Sequence, residues 1–291
     1  MSSFLFQVIL KVMKVRNSLL ILIFLVSFSF FSCDTLFDIL GLAGSGDALF
    51  TNAEAVEAMK SALNIGAKDS STALSQEDAY YKSALKIPLP SEVDNALDAL
   101  DELTGLTIIG FDIGSAVSNL SGDLVENVVL SINRSAEAAA KEIAPIFSTA
   151  ITEMTVQDGI TIVTGERNAA TVYLKDKTYS QLMNLYQPKM NIVLDTPLVG
   201  NISASTAWNT LIEKYNGIVE NKLVIVAAKL ANKTVPGPIN TNLSEYVTGK
   251  ALDGVFLTVE GEEGKIRDNP WGYASSIIEK VFGAVKNNFK S

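Results

Sequence analysis

Residues 123 to 143 carry a pattern that leaves this chain little freedom of fold class. Stepping about 100° per residue from Leu124 gathers Val125, Val128, Val129, Ile132, Ala136, Ala139, Ala140 and Ile143 into one arc of roughly 120°. Such an apolar stripe is stable only when packed against other elements. Asn133 lies at the edge of the arc, with Glu137 one turn further along the same edge.

Comparable helix signals recur along the chain. Asn52 reads as an N-cap, followed by Val56, Met59 and Leu63 at helix spacing, with Gly66 as a stop. Ile87-Pro88-Leu89-Pro90 must be extended, because proline restricts itself and the residue before it. Ser91 is expected to cap a helix through Leu103. Pro145 opens another to Met154, Thr155 caps the next, and Gly165 ends it. Ala169–Leu174 and Tyr179–Leu194 read as two helices, the second interrupted or restarted at Pro188. Thr206–Tyr215 reads as a short helix, whereas Lys222–Leu230 contains Leu223-Val224-Ile225-Val226 and admits a strand. Asn242 or Ser244 caps a long helix to Arg267, and Ala274 to Phe289 forms the last.

With 48% hydrophobic and 19% charged residues the chain can bury a large core, and general disorder is excluded. It contains no histidine, which removes Ser-His-Asp and Cys-His nucleophiles and imidazole metal ligands. The single cysteine, Cys33, allows no intrachain disulfide.

That cysteine ends an apolar stretch. Lys11, Lys14 and Arg16 form a basic region, and Ser18 to Phe31 a fourteen-residue apolar run. Ser32 is a small residue directly before Cys33, and Met13 is a conventional alternative start. The run is short for a membrane span, which needs about twenty residues. The pattern is that of a signal peptide, and Phe30-Phe31-Ser32-Cys33 resembles a bacterial lipobox with Phe30 where Leu is commoner. The resemblance implies lipidation of Cys33 and attachment to a membrane of the bacterial cell envelope. Either face of the envelope fits: the periplasmic side of the inner or outer membrane, or the cell surface. Losing three positive charges with the leader takes the net charge from −9 to −12. A domain so acidic does not suit nucleic acid or anionic lipid headgroups met through a basic face.

The expected organisation is therefore a lipoprotein signal peptide over 1–32, a lipidated tether over 33–51 and one all-α, multi-helix domain over 52–289.

Several blocks run in order along the chain: Ala62-Leu63-x-x-Gly66, Ile87-Pro88-Leu89-Pro90, Asn133-Arg134-Ser135-Ala136-Glu137, Met154-Thr155-x-x-Asp158, and Gly165 with Ala169-Ala170-Thr171-x-Tyr173. Further on come Tyr246-Val247-Thr248, Ala251-Leu252-Asp253-Gly254-x-Phe256, Glu263-x-x-Ile266-Arg267-x-Asn269-Pro270 and Val281-Phe282. Taken together they resemble the bacterial family called domain of unknown function 4197. Val219 to Val235 looks like a variable insertion, and Trp271-Gly272-Tyr273 replaces a commoner polar and basic run. The resemblance implies a mostly helical envelope protein without an assigned activity.

Asn133, Glu137, Tyr173, Tyr246, Asp253, Glu263 and Arg267 are the candidate polar residues. Glu263 and Arg267 form an i,i+4 pair with the acid first. In the structural reading, they and Asn133 with Glu137 set helix packing, since buried charge is costly unless paired. In the functional reading, Arg267 holds an anionic group in a small pocket lined by Tyr173 or Tyr246. No metal or cofactor motif emerges: Glu260-x-Glu262-Glu263 lacks the spaced acids of a calcium loop, and Gly44-x-Gly46 lacks a preceding strand. The function expected is a non-catalytic binding or interaction module, tied to the membrane through lipid on Cys33 and meeting an envelope protein or small ligand. The alternative is a hydrolase using carboxylates among Asp253, Glu260 and Glu263.

Overall fold

The computed structural model describes residues 49–288 except 109, 110, 119, 121 and 122, and the residues from Asn52 onward make one compact unit with its own core. Cys33, the signal peptide and nearly all of the tether lie outside the described residues, as does the expected helix end at Phe289.

The unit is all-α. Its helices are α1 (Asn52–Leu74), α2 (Ser91–Asp101), α3 (Ile113–Ser118), α4 (Asp123–Ala139), α5 (Ile143–Glu153) and α6 (Gly159–Thr164). They continue as α7 (Ala169–Leu194), α8 (Ala204–Val219), α9 (Lys222–Leu230), α10 (Leu243–Asp268) and α11 (Ser276–Asn288). Two short antiparallel hairpins interrupt them, β1 (Thr107–Ile108) with β2 (Phe111–Asp112) and β3 (Pro197–Val199) with β4 (Ile202–Ser203). Neither was expected from the sequence.

α1 is the hub, packing against α5, α6, α10 and α11. Five of its inward positions, Ala55, Ala58, Ala62, Gly66 and Ala67, are small, so neighbours can approach its axis between Met59, Leu63 and Leu74. Gly66 does not stop the helix, which runs on to Leu74. A Cβ there would sit 3.2 Å from Val259 Cγ1, so its glycine serves the crossing with α10. Nor does Asn52 cap its own helix. Its Oδ1 accepts from Gly159 N at 2.8 Å and Ile160 N at 3.2 Å, tying the start of α6 to the start of α1. Asp158, not Thr155, supplies the local cap of α6 by accepting from Thr161 N at 3.0 Å.

The two helices expected between Ala169 and Leu194 are one. Ala170, Leu174, Thr178, Leu182, Tyr186, Met190 and Leu194 repeat every four residues as a buried stripe. Thr178 keeps that stripe continuous by donating its hydroxyl to Leu174 O at 2.6 Å. Pro188 sits on the exposed side within the helix. An interior proline costs about 3 kcal/mol. Burying each large side chain of the stripe returns roughly 1.5–3 kcal/mol, so packing outweighs the break.

Lys222–Leu230 is helical, not a strand. Asn221 caps it, accepting from Leu223 N at 2.8 Å. Asn232, at φ 55°, closes it with Lys233 N donating to Ala228 O at 2.8 Å. Smaller differences concern ends: α2 starts at Ser91 with Pro90, not Ser91, in the cap position and stops at Asp101, α5 begins at Ile143 after a 3-10 turn, and α8 is longer than expected, with Ser203 as its cap. Asn242 is the residue that caps α10.

Candidate functional site

Glu263 and Arg267 pair as expected, Nη2 to Oε1 at 2.8 Å and Nε to Oε1 at 3.0 Å, and their other polar contacts go to α6 and α7. Glu263, 1% exposed, accepts from Ala170 N, Thr171 N and the Thr171 hydroxyl at 3.0, 2.8 and 2.6 Å. It therefore satisfies the first free N–H groups of α7 and meets the positive end of that helix. Arg267 donates to Val163 O and Ile162 O at 2.7 and 3.1 Å, the carbonyl end of α6, while its guanidinium lies 5.3 Å from the Phe282 ring centroid. One turn of α10 thus splices α6 to α7 across their break. Arg267 thus spends four hydrogen bonds on Glu263 and the α6 carbonyls.

Asn133 and Glu137 do the same kind of work elsewhere. Asn133 accepts from Ile87 N and donates to Ile87 O, both at 2.8 Å, and donates also to Val129 O. Its amide supplies a strand-like partner to a segment in which Pro88 and Pro90 lack N–H groups. Tyr246 holds the same segment by donating to Pro88 O at 3.0 Å. Glu137 accepts from Tyr80 N and Tyr81 N at 3.0 and 3.1 Å and from Arg134 Nη1 at 2.6 Å. Glu137 and Arg267 do not pair. Tyr80 in turn donates to Ala251 O at 2.9 Å, its ring so close to Gly254 that a Cβ there would meet it at 2.9 Å.

The remaining candidates stand apart. Tyr173 donates to Thr155 O at 3.0 Å beside a polar recess of about 430 Å³. Asp253 forms a half-exposed ion pair with Lys175 at 3.0 Å. Ten residues separate it from Glu263 on α10, about 15 Å along the axis. Glu262 is taken by Lys265 at 2.8 Å and by the Tyr273 hydroxyl at 2.6 Å. The Glu260-Glu262-Glu263 run therefore does not converge, and Glu263 has no free oxygen to act as acid or base with Asp253.

An open groove of about 640 Å³ between α2, α3 and α4 has a different character. Its floor is Leu97, Val117, Leu120, Val125 and Val129, and its rim carries Asp94, Asp98, Asp101 and Glu126. The three aspartates repeat at i, i+4 and i+7 and so line one face of α2. They take no ion-pair partner among the described residues. Lys86 is the one lysine on the rim, its Nζ 4.9 Å from the Tyr81 ring centroid, and the Tyr81 hydroxyl donates to Glu126 at 3.4 Å. Burial first and the neighbouring Asp98 second push the Asp94 carboxyl above its usual range. The Tyr246 phenol, beside this rim, is pushed up to about 12 by burial and then by the Asp94 charge. None of the groove residues was a sequence candidate. The signal available was the aspartate stripe flanking Leu97.

No curated protein and no solved structure matches the chain. A family described as a protein of unknown function, DUF4197, matches residues 49–283, which take in every described helix except the last turn of α11. The chain belongs to the DUF4197 family.

Proposed function

We propose that the chain is a lipid-anchored, non-catalytic envelope protein whose helical domain binds an amphipathic organic cation in the groove between α2, α3 and α4. One observation carries the reading: an apolar floor of Leu97, Val125 and Val129 lies beside three aspartates left without cationic partners among the described residues. The volume is of the size that takes a small molecule, about 300–1,000 Å³. An apolar body would cover the floor while a cationic head meets Asp98 and Asp101. Glu263 is occupied with the start of α7 and Arg267, and Asp253 with Lys175, which supports a binding role over a hydrolytic one.

Calorimetric titration of the domain with monomeric dodecylammonium and dodecyl sulfate tests the groove, because the two differ only in the head group. The ammonium is expected to bind and the sulfate not. Replacing Asp98→Asn together with Asp101→Asn should weaken binding about fivefold, the worth of two exposed ion pairs. A cation prefers ionised Asp94, so affinity should rise as pH climbs through its raised pKa, above the ordinary 3.8, and fall below it. Equal affinity for the two head groups would sink the reading.

The anchor rests on Lys11, Lys14, Arg16, the apolar run and Cys33. Cells fed an alkynyl palmitate should label the full chain but not its Cys33→Ser variant. Label persisting on the variant removes the anchor.

A further inference from the structure

The outward face of α9 is apolar and basic together. Val224, Ala227 and Ala228 pack inward, whereas Leu223, Ile225, Val226 and Leu230 are exposed, Leu230 by 79%. Lys222 and Lys229 lie on the same outward face, with Val226 between them. Both ends of the helix are closed, by Asn221 and by the left-handed Asn232, so the face is presented on a finished helix. Single exposed apolar residues are ordinary, but four large ones within nine positions form a patch.

Charge decides what covers it. A second copy packed across a two-fold axis would bring Lys222 and Lys229 against a like-charged face. Anionic headgroups instead accept both ammonium groups while the acyl boundary receives the four apolar side chains. A nine-residue helix is about 13 Å long, far short of the ~30 Å hydrocarbon layer. Among the described residues no helix is long and apolar enough to cross a membrane. At that length α9 could meet a bilayer only along its surface. Beside it opens a recess of about 480 Å³ lined by Ile225, Lys229 and Lys233, with room for a headgroup. Lys233 is held there, its Nζ donating to Glu102 O at 2.6 Å. Exposed Glu220 stands two residues before Lys222, inside the reach of its charge, whereas acids more than about 10 Å from the face are screened at ~0.1 M salt.

We infer that α9 is an interfacial membrane helix, docking Leu223, Ile225, Val226 and Leu230 with Lys222 and Lys229 onto an anionic phospholipid surface. The contact is independent of any lipid on Cys33, and of the groove.

The test uses the domain from Asn52 onward, which lacks Cys33. It is pelleted with vesicles of phosphatidylglycerol and phosphatidylcholine in equal parts, or of phosphatidylcholine alone. Binding to the anionic vesicles should exceed binding to the neutral ones by about tenfold or more, and should weaken as salt is added. Lys222→Gln with Lys229→Gln should reduce it about thirtyfold. Ile225→Ser with Leu230→Ser should abolish it without lowering the melting temperature, since both side chains are exposed. No sedimentation, sedimentation that ignores headgroup charge, or unchanged binding by both variants would overturn the inference. So would a lipid-free dimer, seen by analytical ultracentrifugation, that the Ile225/Leu230 variant breaks, because the face would then belong to a second copy.

Discussion

Glu263 shows what a buried carboxylate costs and what it returns. Alone at 1% exposure it would be strongly destabilising; with two backbone N–H groups, a hydroxyl and Arg267 around it, every oxygen is satisfied. Glu263→Gln keeps the shape but sets an NH2 against donors and leaves Arg267 without its counter-charge. The expected loss is about 3–5 kcal/mol in chemical denaturation, the range for breaking a buried pair. A loss below about 1 kcal/mol would mean that the splice between α6 and α7 is dispensable. The pair itself was legible, because i,i+4 spacing places the two side chains together on any helix. Its partners were not: Ala170 and Thr171 lie 93 and 92 residues away, beyond anything periodicity reports.

Elements show the same division. The stripe of α4 was readable, and Val128, Ile132, Ala136 and Ala139 are buried as it requires. Val125 and Val129 belong to the same arc yet are half-exposed, because α2 and α3 stop short of them and leave the groove. A hydrophobic arc says which side seeks cover, not how much of it is covered. α9 was ambiguous because four successive apolar residues suit a strand as well as a helix, and Asn221 as a cap settles it. The Ile87–Pro90 segment was rightly extended, but its fastening to Asn133, 46 residues away, could not be seen. Asn133→Ala strips both partners from Ile87 and leaves a cavity, at an expected cost of about 2–4 kcal/mol. Amide exchange at Ile87 should accelerate more than in α1, and equal protection in variant and parent would show that the clamp is not what holds the segment.

At the scale of the molecule, the tyrosines set an alkaline limit. Burial holds the Tyr246 phenol neutral up to about 12, against an ordinary 10, and raises Tyr80 and Tyr186 as well. The unfolded chain ionises first, so this contribution is complete below pH 10 and disappears as pH rises toward about 12. Denaturant midpoints should accordingly fall over that interval, and Tyr246→Phe should flatten the fall. A midpoint unchanged between pH 10 and 12 would contradict the buried, neutral phenols.

The splice made by α10 has a consequence in time as well as in space. α10 begins at Leu243, yet Gly66 of α1 packs on its Val259, Tyr80 bonds its Ala251, and the α6–α7 junction is closed by its Glu263 and Arg267. A chain emerging from its N-terminus cannot complete α1, the Tyr80 turn or the α6–α7 corner until that late helix has arrived. Contacts of such long sequence separation make folding wait for the whole chain. A polypeptide threaded outward end-first could not close these contacts until nearly all of it had passed.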